Sequence, residues 1–239
     1  MLTKSQAGAF YTHNPELIKD LKIPGSICEP FAGAGDLLRL YGDCEYQAWD
    51  LQPQKSEYKI QQQDSLLHPP WFNQWILTNP PYLAKNKSDA SQAVVFKKYK
   101  QDDLYKCFIQ ALINIPALGG VIIIPVNFLL SHRKKDKQLR ADFFNAYSIT
   151  DLKIFEKQMF SDTTSSVCTI AFTAGKTTNA IPAIIHGAVE TPLLLNFDEL
   201  DLNLASSQFK ISRWTSKTKS VPLGLTSVSI KCIDDNKKI

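Results

Sequence analysis

The chain has 239 residues, of which 44% are hydrophobic and 21% charged, and its net charge is +4. This composition suits a globular protein with a sizeable core, and no run approaches the ~20 apolar residues of a membrane span. Residues 1–20 lack the apolar core of a signal peptide, so we expect a cytoplasmic protein. The five cysteines and four histidines are dispersed, which favours reduced thiols and argues against a metal site.

Basic residues are grouped along the chain although the net charge is mild. Several groups follow predicted strand ends, where a polyanion would approach a site at that edge of the sheet. Each single group is also typical of a solvated helix face. The groups are Lys85 with Lys87, residues 97–100, residues 133–140 and residues 210–219.

The N-terminal part predicts a helix start and then a glycine-rich turn. Asn14 is a candidate N-cap, with Pro15 at the first helical position. Residues 26–35 predict a strand that runs into a turn containing Gly33 and Gly35, with a helix beginning near Asp36. The two glycines would let backbone pass close to a ligand. Their spacing differs from G-x-G-x-x-G, so a pyrophosphate ligand is not favoured.

Two further predicted strands end in aspartates. Asp50 follows the strand 46–49, about 20 residues beyond the glycine turn, where such folds hold a ribose diol. Asp64 follows residues 59–63 and could accept a hydrogen bond from an adenine amino group. Either residue alone is also typical of an ordinary turn. Together with Glu29 and Asn79, each at the end of a predicted strand, they indicate one pocket.

Residues 78–82 read Thr-Asn-Pro-Pro-Tyr and follow an apolar run that predicts a buried strand, so Asn79 emerges where a parallel sheet ends and ligands collect. The prolines fix φ, and Pro80 keeps Asn79 extended. The Asn79 side-chain oxygen and the Pro80 carbonyl can each accept one N–H of a planar substrate with an exocyclic amino group, while Tyr82 stacks on its ring. A strand-ending turn with an aromatic plug is the alternative interpretation.

The rest of the chain alternates helices and strands, which predicts a doubly wound α/β domain. Residues 83–101 are lysine-rich without clean periodicity, and we expect a flexible loop there. The predicted elements that follow are a helix over 103–113, a buried strand over 121–125, a basic helix over about 133–146, a strand over 149–155, a polar turn over 160–166 and a last strand over 167–173.

These motifs, in this order, resemble the gamma-class amino-methyltransferases that use S-adenosylmethionine, most closely the Taq-type DNA adenine-N6 enzymes. The resemblance covers roughly residues 4–173 and rests on residues 8–12, residues 29–35, Asp50, Asp64 and residues 79–82. It implies a Rossmann-like, seven-stranded mixed sheet of the class I methyltransferase type. It also implies methylation of a flipped-out adenine in DNA, as the modification part of a restriction-modification system.

The resemblance further implies the role of each site residue. Glu29, Ala32 and Gly33 would line the methionine part of the cofactor, with Thr12 near its carboxylate. Asp50 would bind the ribose hydroxyls and Asp64 the adenine amine. The implied cofactor-binding set also includes Tyr11, Leu51, Ser65 and Asn79. The implied catalytic residues are Asn79, Pro80 and Tyr82, and the implied substrate-binding residues are Pro81, Tyr82 and Phe160.

The resemblance implies two parts of the chain, a catalytic domain over residues 1–173 and, over 174–239, a C-terminal extension similar to the start of a target-recognition domain. Sequence readout would then come from a separate specificity polypeptide or from a missing C-terminal domain. Two alternatives remain open. One is a methyltransferase of the same fold that acts on an RNA base or on a protein glutamine, and the other is a non-catalytic subunit that binds nucleic acid.

Overall fold

The computed structural model describes residues 12–156, 159–160, 166–177, 180–187, 190–196, 209–213 and 228–232. Nine of the described strands form one mixed sheet. They are β1 (Ile27–Glu29), β2 (Tyr46–Asp50), β3 (Ile60–Gln62), β4 (Trp75–Thr78), β5 (Gly119–Pro125), β6 (Tyr147–Phe155), β7 (Val167–Ala174), β8 (Ala180–His186) and β9 (Glu190–Asn196). Strands β10 (Phe209–Arg213) and β11 (Val228–Cys232) pair with each other in antiparallel fashion.

The helices connect the strands of this sheet. They are α1 (Asp36–Tyr41), α2 (Ala93–Tyr99), α3 (Leu104–Asn114), α4 (Asn127–Leu130) and α5 (Lys134–Ala146). Short 3-10 helices occur at Pro15–Leu17, Lys85–Lys87 and Ala90–Gln92. Within the described part of the chain, no helix combines the length and the hydropathy needed to cross a membrane.

The strand order of the sheet is β3-β2-β1-β4-β5-β7-β6-β8-β9. The first five strands in this order are parallel to one another, whereas β7 runs antiparallel to both β5 and β6. The sheet is buried on both faces. Along β5, Ile122 and Ile124 belong to one hydrophobic cluster, and Val121 and Ile123 belong to the other. Alternate side chains of a strand point to opposite faces, so the predicted doubly wound α/β architecture is confirmed.

A buried ion pair joins α3 to α5. Lys106 on α3 is 5% exposed and donates to Asp136 on α5 over 2.7 Å and to Asp102 over 2.9 Å. Ser131 donates to the other Asp136 oxygen over 2.5 Å. Since α3 follows β4 and α5 follows β5, this pairing holds together two of the helices that connect the sheet strands.

Three expectations about elements are corrected. Residues 83–101 are not a structureless loop, because they contain α2 and two 3-10 helices. Val95, Phe96 and Tyr99 of α2 are buried, and this spacing gives a short helix one apolar side. The helix predicted at Pro15 is a single 3-10 turn, although Asn14 caps it by accepting from the Glu16 amide over 3.0 Å.

The third correction concerns the end of the sheet. Strand β7 is not the last strand, since β8 pairs with β6 in parallel and β9 pairs with β8 in antiparallel fashion. The sheet therefore has nine described strands rather than the expected seven. The domain boundary predicted after residue 173 falls within β7 and ahead of two strands of the same sheet, and it stays a prediction.

Candidate active site

The carboxyl ends of the central parallel strands meet at one cavity of about 880 Å³ that opens to solvent. Every described residue predicted to bind the cofactor lines the cavity, and so does Pro81. These are Thr12, Glu29, Ala32, Gly33, Asp50, Leu51, Asp64, Ser65, Asn79 and Pro81. Tyr11 lies outside the described residues.

Glu29, at the end of β1, is the most deeply buried carboxyl group of the cavity, with 1% of its surface exposed. Its Oε1 atom accepts a hydrogen bond from the Thr78 hydroxyl over 2.6 Å. Its Oε2 atom has no hydrogen-bond partner among the described residues. Burial raises the pKa of Glu29 to about 8, against smaller opposing effects of the Thr78 hydrogen bond and of the Phe31 amide. A buried carboxyl oxygen without a partner suits a ligand that brings a cation or an N–H donor.

Asp50, at the end of β2, holds the glycine turn in place. Its Oδ2 atom accepts from the Gly33 amide over 2.8 Å, and its Oδ1 atom accepts from the Gln52 amide over 2.7 Å. Burial raises the pKa of Asp50, against these two hydrogen bonds. Gly33 adopts a φ of 57°, in the left-handed region that glycine tolerates best. The carboxylate therefore shapes the turn and still lines the cavity.

Gly35 has a different role from the one expected. It adopts a φ of 83°, and a Cβ atom at this position would lie 2.4 Å from the Tyr58 ring. Gly35 is not among the residues that line the cavity. It therefore makes room for an aromatic side chain rather than for a ligand.

Asp64, after β3, caps a short turn beside the cavity. Its Oδ1 atom accepts from the amides of Leu66 and Leu67 over 3.0 Å each. Ser65 next to it is 2% exposed, and its hydroxyl has no hydrogen-bond partner among the described residues. This side of the cavity thus offers a carboxylate and a buried hydroxyl to a ligand.

Asn79, after β4, is 9% exposed and is held from two sides. Its Nδ2 atom donates to the Thr12 hydroxyl over 3.1 Å. Its Oδ1 atom accepts from the Tyr82 hydroxyl over 2.5 Å. The same Tyr82 hydroxyl lies 2.8 Å from the Ile123 carbonyl oxygen. Because Tyr82 links Asn79 to β5, the end of the Asn-Pro-Pro-Tyr turn is fixed to the sheet.

The Tyr82 ring packs inward, in edge contact with Tyr105 and Phe160 at centroid distances of 6.1 and 6.5 Å. Phe160 is 4% exposed. Asn79 and Pro81 line the cavity. The other proposed catalytic and substrate-binding residues, Pro80, Tyr82 and Phe160, do not line it. The predicted stacking of Tyr82 on a target ring thus requires this side chain to change its contacts.

A second set of hydrogen bonds joins the residues after the Asn-Pro-Pro-Tyr turn to the start of α3. The Asp103 carboxylate accepts from the Leu83 amide over 3.2 Å and from the Tyr105 amide over 3.4 Å, so it also caps α3. The Leu104 amide donates to the Leu83 carbonyl oxygen over 3.1 Å, and the Lys85 amide donates to the Asp102 carbonyl oxygen over 2.9 Å. Both ends of the Asn-Pro-Pro-Tyr turn are therefore anchored.

Several lining residues were not predicted from the sequence. They are Phe31, Asp36, Leu37, Gln63, Leu66, Gln92, Val95 and Leu104. Gln92 and Val95 come from the segment that was expected to be a flexible loop. The signal that could have found them is the apolar spacing of Val95, Phe96 and Tyr99.

One group of potential metal ligands occurs in the described part of the chain, away from the cavity. A carboxylate oxygen of Glu16, a carboxylate oxygen of Glu190 and an imidazole nitrogen of His186 lie within 4.8 Å of one another. None of the three residues lines the cavity.

The sheet order and the cavity at its carboxyl edge define a doubly wound α/β fold of the class I methyltransferase type. The model of the Eco57I restriction-modification methylase family matches residues 37–160, which is more than half of the chain. The chain belongs to this family. A comparison with curated proteins returns no significant match.

Solved structures share the fold at low sequence identity. A chain of a type I restriction-modification system is 13% identical, with a TM-score of 0.57 over 77% of this chain and 46% of that one. A protein assigned as the modification subunit of a type I restriction enzyme from Vibrio vulnificus YJ016 is 13% identical, with a TM-score of 0.53 over 74% of this chain and 47% of that one. The type IIL restriction-modification enzyme MmeI, in complex with DNA, is 13% identical, with a TM-score of 0.52 over 72% and 34%. The match thus spans less than half the length of each of these proteins.

Proposed function

We propose that this chain carries the catalytic site of an S-adenosylmethionine-dependent methyltransferase that modifies the N6 amino group of adenine in DNA, as the modification part of a restriction-modification system. The observation that carries the proposal is the single cavity in which the strand-end residues Glu29, Asp50 and Asp64 meet Asn79. The membership of a restriction-modification methylase family supports it. The fold likeness to MmeI, which was solved in complex with DNA, agrees with the proposed substrate.

The cavity fits the proposed cofactor. The unpartnered Glu29 Oε2 atom would receive the ammonium group of the methionine part, since a buried carboxyl group without a partner favours a cationic donor. Asp50 would accept from the ribose hydroxyls in addition to the Gly33 amide, because each carboxylate oxygen has two lone pairs. Asp64 would accept from the adenine amino group through Oδ2, while Oδ1 caps the turn. Bound S-adenosylmethionine supplies an electrophilic methyl group on a sulfonium.

Asn79 and Pro80 would activate the target amine. The nitrogen of an aromatic amino group is a poor nucleophile because its lone pair is delocalised into the ring. The Asn79 side-chain oxygen and the Pro80 carbonyl oxygen would each accept one N–H, which draws the nitrogen toward tetrahedral geometry and localises the lone pair. Thr12 would orient the Asn79 amide, since the Nδ2 atom donates to its hydroxyl over 3.1 Å. The nitrogen lone pair would form the new C–N bond as the methyl–sulfur bond breaks and S-adenosylhomocysteine leaves. The methylated nitrogen would then lose its extra proton to solvent, so no basic side chain is required in this scheme.

Access to the amine would require the adenine to leave the duplex. Extrusion of a base costs a few kcal/mol. Stacking on an aromatic ring contributes roughly 1–3 kcal/mol per base and offsets much of that cost. Tyr82 would supply the ring, with Phe160 on the other side and Pro81 at the entrance. We further propose that sequence readout comes from a separate specificity polypeptide or from a target-recognition domain, as in an assembly of the type I restriction-modification kind.

The test is methyl transfer from radiolabelled S-adenosylmethionine by the whole chain, offered genomic DNA, total RNA and a glutamine-containing protein extract in separate reactions. We expect label in DNA, and digestion to nucleosides should place it on N6 of adenine. The Asn79→Ala variant is the matched control and should transfer far less label. The proposal would be contradicted if label appeared only in RNA or only in protein. It would also be contradicted if the chain bound the cofactor but transferred no methyl group to any acceptor, even after a specificity polypeptide was added.

A further inference from the structure

Helix α2 and the turn after β3 both line the cavity and contact each other. Gln92, at the end of the preceding 3-10 helix, and Val95, on α2, line the cavity. Asp64, Ser65 and Leu66 line it from the turn after β3. These residues border the part of the cavity where the adenine of the cofactor would lie.

The turn after β3 is held at its amino end by its own aspartate. Asp64 Oδ1 accepts from the amides of Leu66 and Leu67, and the His68 amide donates to the Asp64 carbonyl oxygen over 2.9 Å. These contacts satisfy the free N–H groups of a single helical turn. The carbonyl groups at the other end of the turn still need donors.

Helix α2 supplies those donors. The Tyr99 hydroxyl donates to the Leu66 carbonyl oxygen over 2.6 Å, and Tyr99 is only 4% exposed. The Lys98 ammonium donates to the Leu66 carbonyl oxygen over 3.1 Å and to the Leu67 carbonyl oxygen over 2.8 Å. It also lies 4.9 Å from the centre of the Tyr99 ring. A cation is well placed at the carbonyl end of a helical turn, where the backbone dipoles leave negative charge.

We propose that Tyr99 and Lys98 are positioning residues for cofactor binding. They do not line the cavity, and they act by fixing the turn that carries Asp64 and Ser65 against the wall formed by Gln92 and Val95. This inference rests on the proposed function, because it places the adenine of the cofactor beside Asp64. It also gives the lysine-rich segment after the Asn-Pro-Pro-Tyr turn a role in binding the methyl donor.

Tyr99→Phe is the sharpest variant, because it removes one hydroxyl and keeps the buried ring. The Leu66 carbonyl oxygen then keeps only the longer bond from the Lys98 ammonium, so the preformed turn becomes less populated and the cofactor binds about five- to tenfold more weakly. Tyr147→Phe is the matched control. The Tyr147 hydroxyl is also buried and bonds the Leu112 carbonyl oxygen and the Ala117 amide, each over 3.0 Å, but Tyr147 does not line the cavity or contact the turn.

Lys98→Met is a second test variant, and Lys97→Met is its matched control. Both lysines are exposed on α2, but only Lys98 donates to the turn. This pair keeps the proposal testable if Tyr99→Phe fails to fold. Lys98→Met should weaken cofactor binding about threefold to tenfold, and Lys97→Met should not change it.

The experiment is calorimetric titration of the whole chain with S-adenosylmethionine and with S-adenosylhomocysteine, combined with hydrogen exchange. We expect weaker binding and faster exchange of the Leu66 and Leu67 amides in Tyr99→Phe and Lys98→Met, and wild-type values in both controls. If both Tyr99→Phe and Lys98→Met bound the cofactor with wild-type affinity, this inference would be overturned and the proposed function would stand. An equal loss of affinity in Tyr147→Phe would also overturn it, since the effect would then be one of general stability. Absence of binding by the wild-type chain would overturn the proposed function together with it.

Discussion

The Tyr82 hydroxyl donates over 2.5 Å to the Asn79 side-chain oxygen, the atom proposed to accept the target amine. Tyr82 has one proton for two acceptors, because its hydroxyl also lies 2.8 Å from the Ile123 carbonyl oxygen. Because an amide oxygen has two lone pairs, a target amino group would either share the Asn79 oxygen with this hydroxyl or displace it. The residue proposed to stack on the base therefore also competes with the target amine for Asn79.

Tyr82→Phe should bind the target more tightly. The variant keeps the ring for stacking and removes the hydroxyl that competes for Asn79. A hydrogen bond contributes about 1 kcal/mol net, so the Kd for the target should fall roughly fivefold. Cofactor affinity should not change. Fluorescence anisotropy with labelled DNA in the presence of S-adenosylhomocysteine measures the effect. Tyr105→Phe serves as control, since that ring touches Tyr82 but no bond from its hydroxyl reaches Asn79. Weaker DNA binding by Tyr82→Phe would show that the hydroxyl assists the target rather than blocks it.

Asn79→Ala should strongly slow methyl transfer while leaving the affinity for the cofactor within a few-fold of wild type. Loss of one preorganised acceptor raises the barrier by about 2–4 kcal/mol, or thirty- to a thousand-fold in rate. Single-turnover rates and calorimetry on the same preparation separate the two effects. Thr12→Val should lower the rate less, because it removes only the partner of the Asn79 Nδ2 atom. A parallel loss of cofactor binding in Asn79→Ala would assign Asn79 to the cofactor instead.

Asp50→Ala should show the opposite pattern and weaken cofactor binding first. The substitution removes a proposed ribose ligand and also releases the Gly33 and Gln52 amides, so the glycine turn loses its support. We expect a loss of at least tenfold in affinity, since hydrogen bonds to charged groups are worth about 1.5–3 kcal/mol. Asp50→Asn should lose less, because its one oxygen can still accept. A titration that gives wild-type affinity for Asp50→Ala would remove Asp50 from the site.

Lys106→Met should destabilise the fold without altering the cavity. Asp136 is 3% exposed, and despite its burial the hydrogen bonds from Lys106 and Ser131 hold the pKa of its carboxyl below the usual range. Removal of Lys106 leaves this charge buried with less compensation, at a cost of about 3–5 kcal/mol. Thermal unfolding measures the loss. The double variant Lys106→Met/Asp136→Leu should recover much of it, and a double variant as unstable as Lys106→Met would show that packing rather than charge is responsible.

The convergence of Glu29, Asp50, Asp64 and Asn79 could be predicted because the carboxyl ends of parallel strands must meet at one edge of a sheet. Such a prediction needs only the location of each strand end. The hydrogen-bond network around these side chains could not be predicted in this way. Tyr82, the partner of Asn79, also bonds the Ile123 carbonyl oxygen, which lies 41 positions away in the sequence. Nothing in the local sequence specifies that contact.

Helix α2 and strands β8 and β9 were missed for related reasons. In α2, the helical spacing of Val95, Phe96 and Tyr99 covers only five residues of a lysine-rich segment, so the periodic signal is present but short. Its stability comes from packing on α3 and from the bonds of Lys98 and Tyr99 to the turn after β3. Strand β8 depends on its pairing with β6, which is a long-range interaction.

Glu29 predicts a measurable pH dependence. Burial raises its pKa from 4.5 to about 8. The folded protein therefore binds one proton more than the unfolded chain between these values, and the stability that this proton contributes is fully present below pH 4.5 and lost as the pH rises through 8. Glu29→Gln should flatten this dependence. Thermal unfolding from pH 5 to 9 should show the wild-type protein losing stability relative to Glu29→Gln, and parallel curves would contradict the assignment.

The same carboxyl group should release its proton when the cofactor binds. A ligand ammonium beside Oε2 favours ionised Glu29, so binding near pH 7 should expel close to one proton from the wild-type protein and fewer from Glu29→Gln. Calorimetric titrations in two buffers with different ionisation enthalpies count the protons. The free ligand amine is the same in both titrations, so the difference between the two proteins reports the pair formed by Glu29 and the ligand ammonium. Equal proton release by the two proteins would mean that the carboxyl group does not face the ligand's charge.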